Sequence, residues 1–376
     1  MVTFQDYLDT LQSGTYVQKI KIVLLREDET PREEITILIG NSGGTLSVNR
    51  ANGVRRTVNL NIMNLDNTYI PNPESFWVHQ KFMLYLCLEI NGEDYWLPQG
   101  VFVLDDPSVS SNFSESLISI KGVDKFGMLN QIGGELGYTY IINTDTDIIS
   151  AITDTLALSN DPKTPIIDSY LIGFTTPYTM TYEPSSKIGD VLIDLAQLYS
   201  CSIYFNEVGQ LVVERDAEDD IKSSLWDFTT NDFTYLGAVN TYKWSDLFNA
   251  VRVVGSNING SDVSYKATNE NLSSSTSVPN LGFERIYYYY SDTLDTEQKC
   301  QDLAEYILRR KTAVQNEVQI NSIAMYHLNP DEIITLTDNN LGLTKERYII
   351  NDFNLQLQIG GQLTISTVKS KEIPYV

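Results

Sequence analysis

The strongest constraint on the fold is a change of hydrophobic period along the chain. Between residues 16 and 123 apolar residues come in short β-type runs, at 18–25, 34–39, 57–63, 81–90, 95–104 and 117–123. Turn residues at 41–44, Asn91-Gly92 and 105–107 separate several of these runs. Many short strands with this punctuation predict a barrel or a sandwich. One helix precedes them: Phe4, Tyr7, Leu8 and Leu11 have helical spacing, with Thr3 and Asp6 as a start and Gly14 as a stop.

The period lengthens after residue 130. Ile148, Ile149, Ile152 and Leu156 share a helical face behind the capping residues Asp145 and Asp147. Ile188, Val191, Leu192, Leu195, Leu198 and Tyr199 do the same behind Ser185, and a hairpin at 201–214 turns at Asn206-Glu207-Val208-Gly209. An acidic cluster at 216–220 reads as a boundary.

The β period then returns at 250–254, 285–290, 314–323, 332–337, 348–357 and 362–369. Its one helix, over 295–311, carries the stripe Cys300, Leu303, Ala304, Ile307 and Leu308, so it is expected to cover a sheet or plug a barrel end. The stretch 256–279, rich in Ser, Asn and Thr, is expected to be a long exposed loop. A chain of 376 residues has room for two or three domains. The expected fold is therefore α+β, mainly β, with barrel-like domains at 1–130 and 233–376 and a small α+β domain at 131–232.

A short pattern recurs in the two β regions. Val101-Phe102-Val103-Leu104-Asp105-Asp106 precedes Leu117, and Arg347-Tyr348-Ile349-Ile350-Asn351-Asp352 precedes Leu363 at the same distance from the second acid. This reads either as a structural repeat or as the common grammar of hairpins.

Charge narrows the function. Forty-nine Asp and Glu against 26 Lys and Arg leave −23, a field that repels phosphate backbones and anionic lipid. Neither nucleic-acid grip nor membrane binding is expected. Cys87, Cys201 and Cys300 are isolated, which argues against disulfides and zinc ribbons and for folding in a reducing cytoplasm. The first residues lack a basic stretch followed by an apolar run, and no window has the ~18–20 apolar residues of a membrane span, so no leader and no anchor are expected.

Chemistry-bearing patterns are few. Gly40-Asn41-Ser42-Gly43-Gly44 satisfies GxSxG, but Ser42 is followed by the β run Thr45-Leu46-Ser47-Val48 where a hydrolase nucleophile requires a helix, and no His precedes His79. His79 and His327 stand in unrelated contexts and read as structural or surface residues. Asn143-Thr144-Asp145-Thr146-Asp147 with Asp154 has partial calcium-loop spacing, yet Ile148 occupies the glycine position, so capping is the expected role. The run Tyr287-Tyr288-Tyr289-Tyr290 suits a strand with one face against a neighbouring subunit better than a sugar-stacking surface. The expectation is thus no catalytic residue, no cofactor and no metal. The competing class is a β-sandwich carbohydrate-binding module or glycoside hydrolase, using aromatic faces and a carboxylate pair.

The order of segments is more specific than any motif. Gly100-Val101-Phe102-Val103-Leu104-Asp105-Asp106-Pro107, followed by Lys121-Gly122-Val123-Asp124-Lys125-Phe126-Gly127-Met128-Leu129, resembles the strand, acidic turn, strand and G-x-D passage of baseplate hub proteins of tailed phages and related contractile injection systems. Tyr182-Glu183-Pro184 before a helix, the hairpin Ile203 to Leu211, Asn249-Ala250-Val251-Arg252-Val253-Val254-Gly255, Leu328-Asn329-Pro330-Asp331-Glu332 and Gly360-Gly361-Gln362-Leu363 continue the likeness over most of 95–370. Asp331 stands where such proteins usually have a Gly. The resemblance implies a non-catalytic virion protein, assembled in the host cytoplasm as a homotrimeric ring of two tube domains per chain. Its implied partners are a tail-tube or distal-tail ring protein and a central spike or tip, with DNA passing through the lumen.

Overall fold

The fold was determined as a computed structural model. It describes residues 2–369 except 15, 39–41, 64–69, 73–78, 112–115, 131–132, 200, 216–222, 243–246, 257–261, 292–293 and 312–315. Half of the chain is strand, and antiparallel sheet dominates.

The first region holds α1 (Phe4–Ser13), β1 (Val17–Leu25), β2 (Pro31–Leu38), β3 (Ser42–Asn49), β4 (Arg56–Met63), β5 (Lys81–Ile90), β6 (Glu93–Ser111) and β7 (Ser116–Asp124). Helix α1 starts where expected: Thr3 and Asp6 form a reciprocal capping box, and Gly14 ends the helix at φ 72. Strand β4 alternates strictly between buried and exposed residues, as period two requires. The acidic segment at 105–107 is not a turn, contrary to expectation. Strand β6 runs through it to Ser111, with a bulge between Asp105 and Ser108.

The middle region holds α2 (Phe126–Asn130), β8 (Tyr140–Ile142), α3 (Ile148–Ala157), β9 (Ile166–Ile167), β10 (Met180–Tyr182), α4 (Ile188–Gln197), β11 (Cys201–Phe205) and β12 (Leu211–Arg215). The anticipated helical faces of α3 and α4 pack into one core with the β11–β12 hairpin. This region is an internal duplication. Strands β8 and β10 pair antiparallel through Ile141 and Thr181, and the bridges Glu135–Lys187 and Asp147–Thr175 are each other's images at an offset of 40 residues. Backbone bonds repeat in the same way, Ile188 N–H to Gly134 and Ile148 N–H to Phe174 among them.

The third region holds β13 (Ser224–Thr229), β14 (Tyr235–Tyr242), β15 (Ala250–Ser256), β16 (Asp262–Thr268), α5 (Val278–Leu281), β17 (Ile286–Tyr290), α6 (Glu297–Lys311), β18 (Asn316–Ile323), β19 (Ile333–Asp338), β20 (Leu343–Gln356) and β21 (Gln362–Lys369). Helix α6 covers the β16–β15–β17 sheet, where Cys300, Ala304 and Leu308 pack on Val251 and Val253. The expected loop at 256–279 is corrected: it contains β16, and Asn269, Ser274, Thr276 and Ser277 are buried. Asn269, Ser274 and Thr276 satisfy one another, with Asn269 Nδ2 donating to Ser274 Oγ (2.9 Å) and Ser274 Oγ 3.0 Å from Thr276 Oγ1, which is how a polar segment enters an interior. The acidic cluster at 216–220 lies outside the described residues.

Apart from β15, β16 and β17, the strands of both β regions belong to one 13-stranded sheet. Its long path runs β14-β18-β21-β20-β3-β4-β7-β6-β5-β1-β2, with β19 pairing β20 and β13 pairing β19. The seam is the antiparallel pair β20–β3, from Asp352 opposite Asn49 to Gln356 opposite Thr45. Leu46, Val48, Phe353 and Leu355 are all at most 3% exposed there. Each such side chain stabilises by ~1.5–3 kcal/mol, so the seam is core and not a surface contact. The main core spans both regions, from Tyr7 to Ile365.

Candidate functional site

The residues with chemical potential do not converge. Ser42 opens β3, opposite Ile62 of β4, and no helix follows it. Gly40 and Asn41 lie outside the described residues. His79 is exposed at φ 57. His327 is buried in an aromatic cage of Phe4, Tyr7 and Trp226, with ring centroids 5.5–5.7 Å away. The Tyr7 hydroxyl accepts the Tyr326 N–H (2.9 Å) and shares a hydrogen bond with His327 Nδ1 (3.2 Å). Burial pushes the imidazole down to about 4, which keeps it neutral.

Asp147 caps α3, its Oδ2 accepting the Ser150 N–H at 2.8 Å, and Asp154 is exposed on that helix. Among the described residues no group of three or more His, Cys, Asp or Glu is arranged to hold a metal. The three cysteines are buried and free, and burial raises the Cys87 thiol to about 12. No helix among the described residues is long and apolar enough to cross a membrane. The tyrosine run forms β17, which among the described strands pairs only with β15 at the edge of its sheet. Tyr287 packs toward α6, while Tyr288 and Tyr290 stack on each other, exposed, on the other face.

What the structure does bring together is a junction of all three regions. Asp124, from the G-x-D passage, accepts the N–H groups of Arg55 (2.7 Å), Arg56 (2.9 Å) and Phe126 (3.0 Å). Burial pushes its carboxyl up to about 6, against the pull of those three donors and the Arg56 guanidinium. Gly122 is required by packing: a Cβ there would meet Phe82 Cζ at 2.8 Å. Arg56 donates to Gln99 O (3.0 Å) and Asn329 Oδ1 (2.6 Å). The Arg55 guanidinium carbon stands over the Tyr204 ring, 3.4 Å from its centroid, and the same group pairs with Asp331 at 2.8 Å. Arg50 holds the other Asp331 oxygen. Asp331 adopts φ 68, the left-handed conformation for which Gly is usual. Its departure from the glycine pattern thus has a reason: the carboxylate neutralises two arginines, one almost wholly buried.

A second ionic knot fixes the middle region. Lys125 Nζ lies 2.6 Å from both Glu29 Oε1 and Asp161 Oδ2 and donates to Gly209 O (3.0 Å). Lys81 and Lys163 complete the set around Glu29 at 3.2 and 3.0 Å. Burial opposes the Glu29 charge, but Lys125, Lys163 and Lys81 outweigh it and hold the carboxyl below its usual range. Gly209, at φ 72, seats the hairpin tip on β6, where a Cβ would come within 2.5 Å of Val101. The sequence offered Asp124, Gly209 and Asp331 as pattern residues. It did not offer Glu29 or Arg55, and it gave Lys125 only as a neighbour of Asp124, because their partners are remote in the chain.

These junctions lock the three regions into a single body built on a continuous sheet, and that whole architecture recurs in solved structures. A tail protein from Neisseria meningitidis superposes with a TM-score of 0.68 over 94% of this chain and 97% of that one, at 10% identity. The fold is that of a phage tail protein. The 43 kDa tail protein of prophage MuSo2 from Shewanella oneidensis shares this tail-protein fold at 0.64, over 95% of this chain and 100% of that one, at 14% identity. The Francisella PdpA–VgrG complex contains it too, at 0.57 and 10% identity, over 99% of this chain and 58% of that one. No protein-family profile matches the chain, and no curated protein matches it by sequence. The resemblance read from segment order is borne out at the level of the tail-protein fold.

Proposed function

We propose that the chain is a structural, non-catalytic component of a phage tail baseplate, a ring-forming hub that joins the tail tube to a central spike or tip. The β20–β3 seam carries this reading, because it fuses two half-sheets of like construction into one wall. The tail-protein fold supports it, as does the presence of the same fold in a complex containing VgrG. In this reading residues 1–130 and 233–376 are the two barrel-like tube domains of one subunit, the second extended by β13 through its pairing with β19, and the rest of 131–232 is a small domain fastened beside them. Three subunits close a ring with six similar segments.

The charge of −23 acts on the passage of DNA. Carboxylates facing the lumen keep a hydrated wall that does not hold phosphate, whereas lysines and arginines would form contacts that transit must break again and again. Only inward-facing acids count, because the field decays over ~8 Å at physiological ionic strength. Virion assembly in the host cytoplasm follows from the same role.

The experiment is quantitative mass spectrometry of gradient-purified particles. Three copies per tail support the reading, and absence of the chain from particles rejects it.

A further inference from the structure

The seam inside the chain specifies how one copy meets the next. The sheet path contains two quartets in tandem, β14-β18-β21-β20 and β3-β4-β7-β6, joined where β20 meets β3. The correspondence is detailed. In both quartets the closing hairpin carries one bulge beside the second acid of the repeated pattern, between Asp105 and Ser108 in β6 and between Ile350 and Asp352 in β20. The front half of each long strand also carries an extra antiparallel partner, β5 on β6 and β19 on β20.

Beyond the bulge the two differ. The distal half of β20 has β21 on one side and β3 on the other. Among the described strands the distal half of β6 has only β7, since β5 pairing stops at Val103, and most of its residues from Asp105 to Ser111 are exposed. At the other end of the tandem, β14 pairs only with β18 among the described strands. Each chain therefore carries both halves of a second seam.

We infer that the distal half of β6 in one copy pairs antiparallel with β14 of the next, repeating the β20–β3 seam between chains. This deepens the hub reading by naming the contact that closes the ring. Edge composition separates β14 from the other end of the sheet path. Strand β2 begins Pro31-Arg32-Glu33-Glu34, which guards an edge against pairing, whereas Tyr235-Leu236-Gly237-Ala238-Val239-Asn240-Thr241-Tyr242 carries no charge. Leu236 and Val239 are 49% and 55% exposed there. A head-to-tail contact between two different edges generates a ring or a filament, and a ring satisfies every edge.

The repeat also sets the register. Matching Asp106 to Asp352 places Ser108 at Asn354, and following the ladder across β7, β4 and β3, and across β21, β18 and β14, places Thr241 at Ser47. In the internal seam Asn354 Nδ2 donates to Ser47 Oγ at 2.7 Å. Ser108 of one copy thus faces Thr241 of the next, close enough for a disulfide if both are cysteine.

The test is mild oxidation of the full chain bearing Ser108→Cys and Thr241→Cys together, read on non-reducing gels beside native mass. The native cysteines are buried and give a low background. The expected result is a covalent ladder ending at three chains, with no such ladder from either single variant. Val239→Lys, on the exposed edge, is expected to abolish the ring while leaving the unfolding temperature within a degree or two. A native trimer in which the two cysteines do not link would overturn this seam and leave the hub reading standing. A chain that forms neither ring nor link would overturn both, and a ladder running past three would reject closure.

Discussion

The Tyr7 hydroxyl stands 3.2 Å from His327 Nδ1, tying the first helix to a residue 320 positions later. It also accepts the Tyr326 N–H, so Tyr7→Phe strands two buried polar groups at once. Each unsatisfied group costs ~1–3 kcal/mol, and a loss of about 2–4 kcal/mol in urea unfolding is expected with an unchanged m-value. Wild-type stability in this variant would show that the contact is incidental.

His327 makes stability depend on acid. Its folded value of about 4 lies below its ordinary 6.5, so between those pH values the unfolded chain takes up a proton that the folded chain refuses. Stability is unaffected above pH 6.5 and falls with pH by ~1.4 kcal/mol per unit below it, a loss of roughly 3 kcal/mol by pH 4. His327→Phe removes this slope. The difference between the two unfolding curves should be flat from pH 8 to 6.5 and then move in favour of the variant.

Lys125 sits between two carboxylates, and all three side chains are at most 4% exposed. Lys125→Met leaves Glu29 and Asp161 buried without their shared cation, at a cost of ~3–5 kcal/mol. Lys163, 31% exposed, is expected to cost far less when replaced in the same way. Equal losses at the two positions would contradict this account of the knot.

Asp331→Gly sets two effects against each other. Glycine relieves a left-handed backbone worth ~1–2 kcal/mol, but Arg55 then loses the partner of a buried guanidinium, worth ~3–5 kcal/mol. The loss is the larger, so the variant should be destabilised by about 2–3 kcal/mol in denaturant. A stabilised variant would mean that strain, not charge, governs this turn.

Local devices were legible in the sequence. The capping box of α1, the stripes of α3, α4 and α6 and the glycine hairpin at Gly209 use residues a few positions apart, and all stand as expected. Long-range pairing was not legible. Nothing local in Ser47 marks it as the partner of Asn354, and β14 escaped notice because Gly237 and two polar residues break its alternation. The duplication in the middle region was hidden for a similar reason. Its halves share Ile132-Gly133 with Ile172-Gly173, Tyr138-Thr139 with Tyr178-Thr179, Ile148 with Ile188, Asp154 with Asp194 and Leu158 with Leu198, and differ at most other positions. Backbone bonds define that symmetry, and many side chains satisfy them. The buried Ser and Asn residues of 269–277 misled in the opposite direction, since polarity signals exposure only where polar groups lack protein partners.

The most direct test of the central claim is native mass spectrometry of the full chain, alone and with its tail-tube and spike neighbours. The account predicts a closed particle of three chains that disperses when β14 carries Val239→Lys. A chain that stays monomeric in every mixture would contradict it.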